Sequence, residues 1–63
     1  MSRFPELRRI EHAIEKQDEG ELRWALAYCE SRLSISTMRQ QQKHWHSLIA
    51  RVQAALDVVR GGG

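Results

Sequence analysis

Apolar residues recur along the chain at helical spacings. Leu7, Ile10 and Ile14 follow one another at intervals of three and four, with Glu6, Glu11 and Glu15 on the remaining positions. A second set, Leu22, Ala25, Leu26, Cys29 and Leu33, again shares one helical face. A third begins at Met38 and continues through Trp45, Leu48, Ile49, Val52, Ala55, Leu56 and Val59. Trp45, Val52 and Val59 are seven apart, which gives a core-facing stripe of about 120°. No segment alternates apolar and polar residues as a strand does. Helix formers dominate, and the one proline, Pro5, suits a first helical turn, where its missing N–H is not needed. The pattern predicts an all-α chain.

How the elements join is decided by two stretches. Ser34, Ser36 and Thr37 supply capping residues for a turn near 34–37. The stretch Gln17-Asp18-Glu19-Gly20-Glu21 reads in two ways. Asp18 can cap a new helix, with Glu21 completing a capping box. Alternatively one helix runs through, Gly20 costing it about 1 kcal/mol. At ~100° per residue, Leu7, Ile14, Ala25 and Cys29 stay within roughly 60° of one another, which favours continuity. The last helix also concentrates its apolar residues in its C-terminal half, while Arg39-Gln40-Gln41-Gln42-Lys43 is polar. A first segment folded back at residue 18 would return beside that polar half. The expectation is therefore an antiparallel two-helix hairpin, turning near 34–37 and bending near 18–20. Its helices would be about 45 and 36 Å long. The alternative is a compact three-helix bundle. Leu22, Cys29, Trp45, Ile49, Val52 and Leu56 should be the most buried positions.

With 63 residues the chain allows one domain, placed at 1–60, with a glycine tail at 61–63. A two-helix layer of this size buries little surface alone, so the hairpins are expected to pair into a homodimer, a dimeric four-helix bundle. Eight Arg and two Lys against eight acidic residues leave a net charge of +2, small for a dedicated nucleic-acid binder. Apolar runs are too short for a membrane span, and the N-terminus lacks the apolar core of a signal peptide. The single cysteine, Cys29, excludes an internal disulfide and fits a reducing compartment, so the expected location is cytoplasmic.

Candidate chemistry is sparse. His44 and His46 flank Trp45 and point about 200° apart on a helix, so they cannot share a metal; His12 has no partner at ligand spacing. Cys29 lies on an apolar face and reads as a small buried hydrophobe. The carboxylates Glu15, Asp18, Glu19 and Glu21 sit on a helix surface with no cleft to separate their pKa values. No catalytic residue, metal site or cofactor is expected. Trp24 and Tyr28 form an i,i+4 aromatic pair beside the apolar stripe, preceded by Arg23; Trp, Tyr and Arg are the types that dominate interface energy. Arg23, Trp24 and Tyr28 are therefore the expected protein-binding residues. In the hairpin, Arg3, Arg8, Arg9 and Arg60 would gather at the open end, where they could hold phosphates. The sequence thus points to a small non-enzymatic protein-binding module, acting as a regulator, adaptor or assembly factor through a dimeric helical surface toward a protein partner it does not name. A nucleic-acid-binding regulator using the terminal arginines is the alternative.

Overall fold

A computed structural model of the chain, which describes residues 5–61, is helical with no strand among them. The helices are α1, Pro5–Lys16; α2, Glu19–Ile35; and α3, Arg39–Gly61. They pack up, down and up, with α2 against α3 as the main interface and α1 laid across both. Principal extents are 37 × 24 × 14 Å, the longest set by α3, whose 23 residues span about 35 Å. No described helix is long and apolar enough to cross a membrane.

The chain reverses at Gln17–Asp18, so the continuous first helix is corrected to two helices. The two-helix hairpin gives way to the three-helix alternative, and the four-helix bundle of paired hairpins goes with it. Straight continuation would hold residues 9 and 21 about 18 Å apart. Instead Arg9 Nε and Nη2 donate to the two carboxylate oxygens of Glu21 at 2.7 and 2.8 Å. The reversal is built from local hydrogen bonds. Gln17 takes a left-handed conformation, φ 53°, and its N–H donates to the Ile14 carbonyl. The Asp18 N–H donates to the Ala13 carbonyl, which completes a Schellman-type helix end. Asp18 then caps α2, its Oδ1 accepting from Glu21 N at 3.2 Å. Glu21 does not close the capping box, because Arg9 holds its carboxylate. Gly20 merely occupies the first turn of α2, where an added Cβ would meet only Asp18 Oδ1 at 3.5 Å.

Phase continuity misled here for a physical reason. In a three-helix unit α1 and α2 both aim their apolar stripe at one core, so matching phase carries no information about reversal. Folding back buries Ile10 and Ala13 within the same chain. The core holds Ile10, Ala13, Leu22, Ala25, Cys29, Leu48, Val52, Ala55 and Leu56. Of the positions expected to be deepest, Leu22, Cys29, Val52 and Leu56 are buried, whereas Trp45 and Ile49 are half-buried.

The second turn also differs in detail. Ser36 ends α2 and does not start α3: its N–H donates to the Leu33 carbonyl and its Oγ to the Arg32 carbonyl at 2.7 Å. Gln42 Nε2 reaches back from α3 to the Ser36 carbonyl at 3.1 Å and ties the corner. At the other end, α3 continues one residue into the glycine tail, through Gly61.

Candidate docking groove at the helical turn

Unequal helix length creates the most distinctive surface. With 12 residues, α1 is about 18 Å long, roughly half of α3. Its first turn lies beside the first two turns of α3. Leu7 comes to rest by the polar half of α3, the arrangement that the sequence pattern argued against. The mismatch leaves an open groove of about 260 Å³, lined by Leu7, Gln40, Gln41, His44 and Trp45. Two bulky apolar side chains at the tip, Ile35 and Met38, are 65% and 58% exposed.

An aromatic row leads into this groove from the core. Arg9 of α1 lies 3.8 Å from the Trp24 ring centroid. Trp24 stacks on Tyr28 at 5.3 Å, and Tyr28 meets Trp45 edge-on at 6.0 Å. His44 then packs edge-on against Trp45 at 5.0 Å. The Arg32 guanidinium lies 5.9 Å from the Trp45 ring, and its Nε is buried without a hydrogen-bond partner. The row crosses all three helices, one turn of α2 separating Trp24 from Tyr28.

The residues singled out from sequence are distributed as follows. Trp24 and Tyr28 are half-buried inside the row, and Arg23 is exposed beside them. Arg3 lies outside the described residues. Arg8 is exposed, Arg9 is held by Glu21, and Arg60 Nε lies 3.7 Å from Glu19 Oε2. The open end at which Arg8 and Arg60 would meet does not form. Leu7, next to Arg8, sits by Trp45, and Arg60 lies fifteen residues, about 22 Å, further along α3. Sequence reasoning missed Leu7, Gln40, Gln41, His44 and Trp45 as a group. The signal available for them was the polar run at the start of α3 opposite an apolar α1.

The ion pairs among the described residues involve none of the residues that line the groove. Arg51 Nη1 and Nη2 donate to Glu11 at 2.8 and 2.9 Å, which together with the Arg9–Glu21 pair pins α1 to both neighbours. The hydrogen bonds from these guanidinium groups hold the Glu11 and Glu21 carboxyls below the usual range. At the groove end, Arg8, Arg32, Arg39 and Lys43 form no ion pair among the described residues. Burial pushes the Cys29 thiol up, with nearby Glu30 adding to the shift, so a thiolate is disfavoured. Among the described residues no group of three or more His, Cys, Asp or Glu side chains is placed to hold a metal ion. A scan of protein-family models, a search of curated proteins and a search of solved structures each return no match for this chain.

Proposed function

We propose that the chain is a non-enzymatic protein-binding module whose docking surface is the groove between the start of α1 and the first half of α3. One observation carries this reading: Leu7 and Trp45 line one open groove with Gln40, Gln41 and His44, and the bulky apolar Ile35 and Met38 are exposed at the α2–α3 turn. Apolar floor and polar rim are the two parts of a protein interface. At about 260 Å³ the groove falls below the ~300–1,000 Å³ usual for small-molecule sites, and suits one or two side chains of a docking segment. Trp24 and Tyr28 serve the surface indirectly, by holding Trp45 in place through the aromatic row. A regulatory, adaptor or assembly role follows from binding of this kind.

The test is affinity capture with the full chain against two variants, Trp45→Ala and Gln41→Glu, with helicity checked by circular dichroism. A partner retained by the native chain should be lost from both folded variants. A captured set unchanged by either variant overturns the groove as the docking surface.

Self-association belongs to the same proposal, because nine buried side chains among the described residues make a small core for a free-standing domain. Sedimentation at micromolar concentration should give twice the chain mass, and a concentration-independent monomer removes the homodimer. The nucleic-acid alternative has weaker support, since Arg9 and Arg60 each engage a carboxylate. A steep fall of affinity for an oligonucleotide with salt would revive it.

A further inference from the structure

The groove opens where α1 begins, and the residue bonded to that end of the helix is aromatic. Phe4 lies outside the described residues, but it is joined directly to Pro5, so its Cα is about 3.8 Å from the first Cα of α1. It stands three residues before Leu7, a spacing at which side chains share one helical face. Phe4 thus extends the apolar stripe of Leu7, Ile10 and Ile14 by one position. Helices α1 and α3 run in the same direction. Glu11 pairs with Arg51, and Leu7, about one turn earlier, shares the groove with Gln40, Gln41, His44 and Trp45 at the start of α3. The bond between Phe4 and Pro5 is therefore within two residues of the groove wall. Among the described residues no carboxylate, lysine or arginine lines this cavity of about 260 Å³, so its lining suits an uncharged side chain.

We infer that the groove is the seat of the chain's own Phe4, whose ring covers Leu7 and Trp45 until a partner takes its place. The tether favours this occupant over others. A ring fixed one residue ahead of Pro5 is held beside the groove at an effective concentration on the order of millimolar or above. It also avoids the loss of translational freedom that a second copy or a separate protein incurs on binding. Charge gives an outside ligand no compensating advantage, since the lining offers it no ion pair. Displacement, the second half of the inference, rests on the protein-binding reading. A partner that docks here replaces Phe4 with an apolar side chain of its own, so the free chain carries a closed site.

The experiment uses the isotope-labelled full chain and, as probe, N-acetylphenylalaninamide, which carries the Phe4 side chain on a free backbone. In the native chain, nuclear Overhauser contacts should run from the Phe4 ring to the Leu7 methyls and the Trp45 indole, unchanged on dilution. This measurement needs no variant. In Phe4→Ala, with helicity checked by circular dichroism, the probe should shift the amides of Leu7, Gln40, Gln41, His44 and Trp45. If Phe4 fills the seat about nine-tenths of the time, the native chain should bind the probe about tenfold more weakly than Phe4→Ala. Raising the probe concentration should weaken the Phe4 ring contacts in step with the groove shifts. Ring contacts that persist with the probe in the groove overturn the displacement. A Phe4 ring that touches neither residue, with the probe binding both chains alike, overturns the whole inference and leaves a protein-binding groove. A probe that shifts no groove residue in folded Phe4→Ala overturns both readings. Ring contacts seen only between differently labelled chains in a mixed sample give the seat to a second copy and overturn the proposal.

Discussion

The two halves of α3 share one apolar stripe and have different fates. From its middle onward, Leu48, Val52, Ala55 and Leu56 are buried in the three-helix core. Toward the N-terminus the stripe continues through Trp45, half-buried beside Leu7, and beyond the helix start to Met38, exposed. The stripe is core along the later turns of α3 and lines an open groove at its start. Position along α3 therefore separates the apolar residues that stabilise the fold from those left open to contact.

The strongest way to break this comparison is to damage the covered half. Val52 is fully buried and surrounded by apolar side chains. Val52→Asp buries a carboxylate with no partner, at a cost of several kcal/mol, against a stability of only about 3–5 kcal/mol for a core of this size. The thermal transition followed by circular dichroism should disappear. Gln40→Asp, at an exposed position on the open half, should leave it in place. If both variants melt like the native chain, the division between covered and open halves is wrong.

A milder change acts on the reversal itself. Gln17 holds φ 53°, a region that costs an L-residue about 1–2 kcal/mol and that glycine occupies freely. Part of that gain is lost because glycine is more flexible in the unfolded chain. Gln17→Gly should therefore stabilise the fold by about 1 kcal/mol, a rise in Tm of roughly 4–8 °C. Gln17→Val should lower Tm. A fall in Tm with glycine would show that residue 17 is not left-handed in solution.

Much of the fold was legible from residues, and the failures have particular causes. The three apolar stripes gave helix content, most of the core and the turn near 34–37. Asp18 and Glu21 signalled the new helix correctly, but Gly20 drew attention from Gln17, which takes the left-handed position without being glycine. The polar run at Arg39–Lys43 argues against the folded-back arrangement only if apolar faces always meet. Leu7 lies beside Gln40 and Gln41 all the same, and that unmet face is the candidate site. A groove depends on where one helix ends relative to another, and sequence periodicity does not register that. Trp24 and Tyr28 were visible as an aromatic pair; their continuation to Trp45 required the antiparallel register of α2 and α3.

The smallest expected effect tests the electrostatic side of the same comparison. The bidentate Glu11–Arg51 pair joins α1 to α3 in the covered half, and the carboxyl is held below its ordinary value by the hydrogen bonds from Arg51. A carboxyl with a lowered folded-state pKa stabilises fully above its unfolded value, about 4.3, and loses that contribution as pH falls through the lower folded value. Both side chains are about half exposed, so water screens the pair and the coupling is only about 0.5 kcal/mol. A double-mutant cycle of Glu11→Gln and Arg51→Gln, read by urea unfolding, should give that coupling at neutral pH. It should vanish once Glu11 is protonated. The Arg9–Glu21 pair shifts in the same direction and stays intact in every variant of this cycle, so it cancels from the coupling while still adding to the overall loss of stability in acid. The same cycle on Glu30 and Lys43, which form no ion pair among the described residues, should give no coupling at either pH. A coupling there equal to that of Glu11 and Arg51 would mean the open half is ion-paired as well, and the difference in ion pairing between the two halves would be lost.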